Sequence, residues 1–480
     1  MTFHTRFNSL SRARKFYEGK RVLVIGGGRS GMAAARLVHS LGARVRLIDE
    51  RPTEKLIEQM KELTDRGIEC FIAKLSEPFL NFAQEIILSP GVPLNHPFIE
   101  AALMDGVPVR SELEVAARLA DSPIIAVTGT DGKSTTTAMI RHVLQQAGLN
   151  AMIGGNFGIP FSEIVASPEA EDPSTVFVVE VSSYQLEHSR YFHPRIAVIL
   201  NVKTDHLSRH GSLGEYIKSK ALITRYQGAD DHLIVNADDP VCLAIARQSR
   251  ATVWEFSSSR EVNKGAYCRD GRLFLTNHTT EEAVRVDELL LPGEHNIQNA
   301  LAAMLASFNA MAPFEALRAG LTTFQGLEHR IEFVSEIDGV RYFNDSKATT
   351  VHALDKALRT FAEPIVLIAG GLKKLDDYEA IRPLIQEKVK TLILTGKDAS
   401  SLAGDWKGCA PILIVKSMKE AVETAASCAV PGDVVLLSPA CTSFDRYSSF
   451  EERGLDFKKN IMFLSAAAAR RKLEATAQAS

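Results

Sequence analysis

The segment Val127-Thr-Gly-Thr-Asp-Gly-Lys-Ser134 joins a β-branched run to a helical pattern. Such a strand–loop–helix surrounds a phosphate group with backbone N–H groups and the positive end of a helix. Lys133 would neutralise charge on the β- and γ-phosphates, and the hydroxyl of Ser134 or Thr135 would reach Mg²⁺. The two glycines are closer together than in the common G-x-x-x-x-G-K-[ST] pattern. We still expect a phosphate site, against the alternative of a glycine turn with a solvated lysine.

A second glycine-rich turn, Gly26-Gly-Gly-Arg-Ser-Gly31, follows the first strand-like run of the chain. It matches the G-x-G-x-x-G pattern, and Asp49 follows near the spacing at which an acidic residue binds a ribose hydroxyl. The turn therefore indicates a site for a diphosphate beside a ribose. Since a UDP-sugar and NAD both present that group, the pattern does not identify the nucleotide. A tight turn without a ligand is the alternative.

Two further groups stand at strand ends, where nucleotide-dependent enzymes often hold metal ions. Glu180 ends a β-branched run, and its carboxylate suits the hard cation Mg²⁺. His206 follows another such run beside Asp205, but imidazole is a poor match for Mg²⁺. From residue types alone, His206 is as readily a hydrogen-bonded structural histidine as a member of the site.

These groups need strands and helices to position them. Three stretches show short β-branched runs alternating with helical patterns, which is typical of parallel sheets buried on both faces. We predict an α/β fold of three domains: a Rossmann-like domain over 21–111, a central P-loop ATPase-type domain with a parallel sheet over 112–326, and a C-terminal Rossmann-like domain over 327–480. Residues 1–20 are polar and basic and predict a flexible N-terminal extension or short helix. An antiparallel appendage is expected over 257–292, where Asp270-Gly271 is a hairpin signal.

Composition excludes several classes of protein. The 480 residues carry 55 Lys and Arg against 58 Asp and Glu, a net charge of −3, with 45% hydrophobic residues. This balance argues against nucleic-acid binding through an excess of basic residues, and no apolar run reaches the roughly 18 residues of a membrane span. The six cysteines form no Cys-x-x-Cys pair, so we expect no zinc site, no disulfide framework and a cytoplasmic location.

Seven segments follow one another in a distinctive order and spacing: 129–135, 180–187, 201–206, 293–299, 329–330, 344–349 and 438–445. Together they resemble the Mur ligases, which join an amino acid to a nucleotide-linked carboxylate with cleavage of ATP. The resemblance spans about residues 21–457 and implies an acyl-phosphate intermediate and a role in peptidoglycan precursor synthesis. The runs Ser183-Tyr-Gln-Leu-Glu187 and Ser438-Pro-Ala-Cys441 favour the member that adds D-glutamate to UDP-N-acetylmuramoyl-L-alanine.

For ATP and two Mg²⁺ ions, the resemblance implies residues from several segments. Lys220 aligns with a lysine that is carbamylated in the family, which would turn a cation into a metal ligand; Lys218 and an unmodified surface role are the alternatives. The implied catalytic residues are Lys133, His206 and Lys220. The implied ATP-binding residues are Gly129, Thr130, Asp131, Gly132, Lys133, Ser134, Thr135, Asn296, Asn299, Arg330 and Asp345. The implied metal-binding residues are Ser134, Glu180, His206 and carbamylated Lys220.

The resemblance also implies pockets for the other two substrates. Lys374 is ambiguous, since Lys373 precedes it. Two positions depart from the family pattern: Asp131 stands where an asparagine is common, and Glu50 stands where a hydroxyl is common in the uridine pocket. The implied UDP-sugar residues are Arg29, Ser30, Asp49, Arg51, Ser89, Gly91 and, for the muramoyl-alanine part, Asn156. The implied glutamate residues are Lys347, Thr349, Lys374, Ser443 and Phe450.

Three other functions are weighed against this one. A folylpolyglutamate synthase-like ligase would lack the N-terminal glycine-turn domain. A nicotinamide- or flavin-dependent dehydrogenase would explain 26–49 but would leave the phosphate loop and last domain without a role. A P-loop motor or switch would turn over ATP without an acceptor. We therefore expect a monomeric ligase of small molecules that binds neither nucleic acid nor membrane.

Overall fold

The computed structural model describes residues 6–51, 53–92, 95–189, 191–203, 211–374 and 376–479. The N-terminal part forms a five-stranded parallel sheet in the order β3-β2-β1-β4-β5. Its strands are β1 (Arg21–Ile25), β2 (Arg44–Asp49), β3 (Glu69–Ile72), β4 (Glu85–Leu88) and β5 (Val109–Ser111). Its helices are α1 (Arg6–Tyr17), α2 (Arg29–Ser40), α3 (Glu54–Asp65), α4 (Glu77–Phe82), α5 (Pro97–Met104) and α6 (Glu112–Ala117).

The sequence predicts a flexible extension or a short helix over 1–20, and the structure has a helix over Arg6–Tyr17. Tyr17 at the end of α1 is 2% exposed and lies in the hydrophobic core. Lys20 forms an ion pair with the fully buried Glu85, which also pairs with Arg110 at 3.0 Å. These contacts hold the end of the segment against the first sheet.

The central part forms a nine-stranded sheet in the order β14-β13-β12-β11-β10-β9-β6-β8-β7. Strands β6 to β12 pair in parallel, and β12, β13 and β14 form an antiparallel meander that turns at Asp270-Gly271, as the sequence predicts. The strands are β6 (Ile124–Thr128), β7 (Asn150–Gly155), β8 (Thr175–Glu180), β9 (Ile196–Ile199), β10 (His232–Asn236), β11 (Thr252–Ser257), β12 (Gly265–Arg269), β13 (Arg272–Asn277) and β14 (Thr279–Arg285). The helices are α7 (Lys133–Gln146), α8 (Phe161–Val165), α9 (Ser183–Glu187), α10 (Leu213–Ala221), α11 (Pro240–Ala246), α12 (Glu294–Asn309) and α13 (Phe314–Thr323).

The C-terminal part forms a six-stranded sheet in the order β15-β16-β20-β17-β18-β19. Only β15 runs antiparallel to its neighbour within this sheet. The strands are β15 (Glu332–Ile337), β16 (Val340–Asn344), β17 (Ile365–Gly370), β18 (Val389–Thr395), β19 (Ile412–Ile414) and β20 (Val434–Leu437). The helices are α14 (Val351–Thr360), α15 (Arg382–Lys388), α16 (Ala399–Asp405), α17 (Met418–Cys428) and α18 (Phe450–Ala479).

The three sheets confirm the predicted α/β class. The chain divides into two compact units, the first holding the residues up to Val286 and Ile297–Thr322, the second holding Asp287–Asn296 and the chain from Thr323 on. The five- and nine-stranded sheets therefore share one unit, and the domain boundaries at 111 and 326 stay a prediction. Across the described residues, no helix is both long and apolar enough to cross a bilayer. All six cysteines are free thiols.

Candidate active site

The phosphate loop connects the fully buried strand β6 to helix α7. Gly129 and Gly132 both have positive φ, 156° and 82°, which side-chain-bearing residues rarely adopt. A Cβ on Gly132 would also lie only 2.4 Å from Oδ1 of Asn299. Asn299 is itself 5% exposed and accepts a hydrogen bond from the Thr136 hydroxyl at 3.1 Å. The structure thus places Asn299 beside the loop, and its role in binding ATP stays a prediction.

Asn201 fastens the loop to the end of β9. Its Oδ1 accepts hydrogen bonds from the backbone N–H groups of Thr130 at 3.0 Å and Asp131 at 2.8 Å. The carboxylate of Asp131 lies 3.3 Å from Nζ of Lys203, so this unusual acidic residue faces a cation in the neighbouring segment. Both side chains are partly exposed. Asn201 begins one of the seven segments, but its residue type and position in the sequence do not indicate this role.

Two lysines converge on one carbonyl of this loop. Lys133 Nζ donates to the carbonyl oxygens of Gly129 at 3.0 Å and Thr130 at 2.8 Å. Lys220 Nζ donates to the same Gly129 oxygen at 2.7 Å and is 2% exposed. Lys218, the alternative to Lys220, is 74% exposed and pairs with Glu215 at 2.7 Å. The arrangement therefore favours Lys220 over Lys218 as the residue of the site.

Helix α10 presents Lys220 to the loop. The buried residues of this helix are Tyr216, Ser219 and Lys220, which share one face because they are three or four residues apart. The Tyr216 hydroxyl lies 3.2 Å from Oγ1 of Thr130, and its ring lies 4.6 Å from Nζ of Lys220. The helix face thus packs against the phosphate loop.

Oxygen ligands meet at the ends of β6 and β8. Ser134 donates its hydroxyl to Oε2 of Glu180 at 2.6 Å, and Asn156 donates its side-chain amide to Oε1 at 2.8 Å. Glu180 is 2% exposed. Hydroxyl and carboxylate oxygens are the donors that Mg²⁺ prefers, so this pair fits the ion that the sequence implies. Within the described ranges, no three His, Cys, Asp or Glu residues cluster as metal ligands. His206 lies outside the described residues.

The glycine turn at the start of α2 is held by Asp49. Its Oδ2 accepts the backbone N–H of Gly27 at 2.7 Å, and its Oδ1 accepts that of Arg51 at 2.8 Å. A Cβ on Gly31 would lie 1.9 Å from the carbonyl oxygen of Gly26, so the helix can pack this closely only with glycine there. The carboxylate of Asp49 therefore orders the turn and the exposed Arg51 beside it.

Other implied UDP-sugar residues surround the same strand ends. Ser89 is 7% exposed, follows β4 and lies against the turn. A Cβ added to Gly26 would lie 2.7 Å from the Cβ of Ser89. Arg29 is exposed and Ser30 is partly exposed at the start of α2, and Gly91 is exposed after β4. Glu50 accepts the backbone N–H of Leu75 at 2.9 Å, so its carboxylate has a role in the local fold.

In the second unit, Asp345 is buried behind Arg330. Its Oδ2 accepts the Ser438 hydroxyl at 2.9 Å and its Oδ1 accepts the backbone N–H of Ile331 at 3.2 Å. Burial raises the pKa of Asp345 to about 7, and the hydrogen bonds and the charge of Arg330 oppose that rise. Asn296, also in this unit, donates its amide to the carbonyl oxygen of Pro292 at 2.7 Å.

The implied glutamate residues gather at the carboxyl ends of β16, β17 and β20 and at the start of α18. Lys374 Nζ donates to Oγ1 of Thr349 at 3.2 Å, and Lys347 Nζ lies 5.6 Å from the centre of the Phe450 ring. Lys373 instead pairs with Asp405 at 2.5 Å. This geometry favours Lys374 over Lys373 for the pocket. Ser443 is 2% exposed in the loop after β20.

Comparison with protein families gives one match for each of the three parts. Residues 20–111 match the family described as the Mur ligase MurD-like N-terminal domain. Residues 127–307 match the Mur ligase middle domain. Residues 329–441 match the Mur ligase glutamate ligase domain. Together the matches cover most of the chain in the order expected.

Curated relatives match nearly from end to end. The chain is 42% identical over 453 residues to the UDP-N-acetylmuramoylalanine--D-glutamate ligase of Pelotomaculum thermopropionicum, covering 94% of this chain and 99% of the relative. It is 39% identical over 449 residues to the protein of the same name from Caldanaerobacter subterraneus, covering 93% of this chain and 98% of the relative. Both relatives therefore share the full architecture.

Solved structures show the same fold at low sequence identity. MurF from Acinetobacter baumannii matches with a TM-score of 0.56 at 16% identity, covering 94% of this chain and 98% of that one. The UDP-N-acetylmuramate-alanine ligase MurC from Thermotoga maritima matches with a TM-score of 0.54 at 20% identity, covering 92% of this chain and 99% of that one. The three-domain fold is therefore shared with these ligases.

Proposed function

The chain belongs to the Mur ligase family, and from that premise we propose that it adds D-glutamate to UDP-N-acetylmuramoyl-L-alanine with cleavage of ATP. One observation carries the proposal. This chain, which is 42% identical to a D-glutamate ligase, has Lys133, Lys220 and the Ser134–Glu180 pair at one phosphate loop. The product is a precursor of peptidoglycan.

The reaction needs an activated carboxylate. A carboxylate resists nucleophilic attack because its charge repels the amine and oxide is not a leaving group. Transfer of the γ-phosphoryl group of ATP to the alanine carboxylate forms an acyl phosphate and releases ADP. The glutamate amine then attacks the carbonyl carbon, phosphate leaves and the amine loses a proton. The protein's part is to position the reactants and neutralise charge.

The phosphate loop performs the first of these tasks. Its backbone N–H groups and the start of α7 hold the phosphates, and the ammonium of Lys133 leaves its loop carbonyls to follow the transferred group. The other proposed ATP residues are Asn296, Asn299, Arg330 and Asp345. The short contacts of the loop with Asn201 and Asn299 keep it in the binding conformation before ATP arrives.

Magnesium is proposed to bind beside this loop at two sites. Ser134 and Glu180 supply hard oxygen ligands that already lie within 2.6 Å of each other, and His206 and carbamylated Lys220 are proposed to complete the set. When bound, Mg²⁺ would neutralise phosphate charge. Asn156 holds the second oxygen of Glu180 and so limits the rotation of the carboxylate that would hold the ion.

Carbamylation of Lys220 explains its placement. An unmodified ammonium there adds a second cation to the carbonyl that Lys133 already contacts, whereas a carbamate adds a negative charge able to hold or orient a metal ion. We predict that Lys220→Ala lowers kcat about a hundredfold or more, and that short carboxylic acids partly restore it. Lys218→Ala is the matched control and should keep full activity. An active Lys220→Ala variant would contradict the carbamate.

The other two substrates are assigned mainly to the outer domains, with Asn156 of the central domain added for one of them. The proposed UDP-sugar pocket lies at the glycine turn with Arg29, Ser30, Asp49, Arg51, Ser89 and Gly91, and Asn156 serves the muramoyl-alanine part. The proposed glutamate pocket lies in the C-terminal domain with Lys347, Thr349, Lys374, Ser443 and Phe450. We propose that the enzyme works on these small molecules as a monomer in the cytoplasm.

Mass spectrometry tests the activity. The protein is incubated with ATP, Mg²⁺, UDP-N-acetylmuramoyl-L-alanine and one amino acid at a time. D-Glutamate should give ADP, phosphate and a product heavier by one glutamate, whereas L-glutamate and other D-amino acids should give little. A panel in which another amino acid reacts and D-glutamate does not would overturn the assignment.

A further inference from the structure

One arginine of the C-terminal domain is buried among neutral hydrogen-bond acceptors. Arg453, in the first turn of α18, is 3% exposed. Across the described residues it forms no ion pair with a carboxylate, and burial lowers its pKa to about 10, so it stays protonated at neutral pH. A buried charge is expensive unless hydrogen bonds satisfy it. The acceptors of Arg453 therefore indicate why it is there.

Those acceptors come from three different loops. Nη2 donates to the carbonyl oxygen of Ser346 at 2.8 Å, and Nε donates to the Ser346 hydroxyl at 2.9 Å. Nη1 donates to the carbonyl oxygen of Cys441 at 3.1 Å and, more weakly, to that of Gly370 at 3.4 Å. The planar guanidinium thus joins the loops that follow β16, β20 and β17.

The same three loops carry the proposed glutamate residues. Lys347 and Thr349 follow Ser346, Ser443 follows Cys441, and Lys374 follows Gly370. The Ser346 hydroxyl also donates to the carbonyl oxygen of Phe450 at 2.8 Å, which adds the fifth residue to the set. Every residue proposed for this pocket is therefore within four positions of a group held by Arg453 or Ser346.

The loops after β17 and β20 pack closely against the guanidinium of Arg453. Gly371 has a φ of 135°, and a Cβ there would lie 2.1 Å from the carbonyl oxygen of Thr442 and 3.2 Å from Nη1 of Arg453. A second tie is the hydroxyl of Tyr378, which accepts the backbone N–H of Lys374 at 3.1 Å and donates to the carbonyl oxygen of Ala440 at 3.1 Å. Arg453 and Tyr378 thus both join the loops after β17 and β20, which also share two backbone hydrogen bonds between Leu372 and Thr442.

We infer that Arg453 is a positioning residue for the amino-acid substrate: its buried guanidinium joins the three loops of the pocket and adds positive charge near a ligand with two carboxylates. The inference rests on the proposed function. The hydrogen-bond acceptors of Arg453 are neutral, and the carboxylate of Asp445 acts on the guanidinium without forming an ion pair with it, so part of the positive charge is left to favour an anion bound at this edge of the sheet. Holding the loops in advance lowers the entropy lost when glutamate binds.

Steady-state kinetics with each substrate varied in turn tests the inference. Arg453→Lys keeps the charge, but one ammonium cannot reach all three loops, and Ser346→Ala removes the hydroxyl shared by Arg453 and Phe450. Both variants should raise KM for D-glutamate about tenfold or more, with a much smaller change in KM for UDP-N-acetylmuramoyl-L-alanine. The matched control is Arg341→Lys, at the amino end of β16, where Arg341 pairs with Glu363. It should leave KM for D-glutamate unchanged.

Thermal unfolding of every variant accompanies the kinetics, so that Ser346→Ala serves if Arg453→Lys does not fold. A folded Arg453→Lys or Ser346→Ala variant with the parent's KM for D-glutamate would overturn the inference, as would equal increases in KM for all substrates. A parent protein that does not use D-glutamate would instead contradict the proposed function.

Discussion

At the scale of single residues, Asp131 is unexpected, because its negative charge is unfavourable beside phosphate groups. Its carboxylate lies in the loop proposed to hold a polyanion, yet it pairs with Lys203 at 3.3 Å while its backbone is fastened by Asn201. The pair carries no net charge. The sequence shows the acidic substitution, but not its partner, because Asp131 and Lys203 belong to different loops and meet only through the pairing of β6 with β9.

The Asp131–Lys203 pair predicts opposite effects of its two single variants. Asp131→Asn leaves the Lys203 ammonium to the ATP phosphates and should lower KM for ATP about two- to fivefold, the range of an exposed ion pair. Lys203→Ala leaves the carboxylate facing those phosphates and should raise KM by a similar factor. The double variant should lie near the parent. Single variants that shift KM in the same direction would show that the pair does not balance charge.

Asp345 predicts a pH dependence of stability. Its pKa in the folded protein is about 7, above the ordinary 3.8, so the folded state holds a proton that the unfolded state releases as the pH rises. The free energy of unfolding should therefore fall between about pH 4 and pH 7, by at most about 1.4 kcal/mol per pH unit from this group. Asp345→Asn should reduce that decline.

Urea unfolding of the ligand-free protein at about pH 5 and about pH 7 measures this effect. Asp377→Asn is the matched control, since Asp377 is exposed in the same domain and caps a turn that an asparagine also caps. The control should decline like the parent. An Asp345→Asn variant that declines equally would mean that Asp345 is already ionised across this range.

At the scale of elements, helix α7 is bounded by two glycines of the same conformation. Gly132 precedes it with a φ of 82° and Gly148 follows it with a φ of 76°. A Cβ on Gly132 meets Asn299 at 2.4 Å, whereas a Cβ on Gly148 meets nothing within 4 Å. A substitution at Gly148 can therefore serve as the control for the same substitution at Gly132 in the phosphate loop.

Alanine at these two glycines should have different consequences. Gly148→Ala pays only for the left-handed backbone, about 1 kcal/mol of stability, and should leave KM for ATP unchanged. Gly132→Ala must also displace Asn299 or the loop, so KM for ATP should rise at least about tenfold. Isothermal titration with a non-hydrolysable ATP analogue measures the affinity of each variant for the nucleotide. Equal affinities would show that Asn299 and the loop tolerate the added methyl group.

The helices and strands show which features can be predicted from the sequence and which depend on contacts distant in the sequence. The strand, loop and helix around Lys133 are predictable because β-branched runs, glycine spacing and helical periodicity are local signals. The approach of Asn299 to Gly132 is not, since it depends on the packing of α12 against the loop. The sequence leaves residues 1–20 open between a flexible extension and a short helix, because the contacts that hold the end of α1 join Tyr17 and Lys20 to Glu85, which is distant in the sequence.

At the scale of the whole molecule, the chain has three sheets and a net charge of −3, and the three substrates proposed for them are all anions. Attraction must therefore be local, and the proposed cations are few: Lys133 and the metal ions for ATP, Arg29 and Arg51 for the UDP end, and the lysines around Arg453 for glutamate. The fold class followed from periodicity alone, whereas the identity of the substrates needed the ordered motifs and full-length relatives.

The coupling of ATP cleavage to the other two substrates is a property of the whole molecule. A ligase should release phosphate from ATP only when both other substrates are present, because phosphate leaves when glutamate attacks the acyl phosphate. A motor or switch would release phosphate without them. Phosphate release with ATP alone at the full rate would therefore contradict a ligase.

The most direct test uses UDP-N-acetylmuramoyl-L-alanine whose carboxylate carries heavy oxygen. With ATP and D-glutamate, we expect one heavy oxygen in the released phosphate and the other in the new amide of the glutamate-bearing product, both read by mass spectrometry. Released phosphate without heavy oxygen, beside a product that forms normally, would mean that the carboxylate is not activated by phosphorylation.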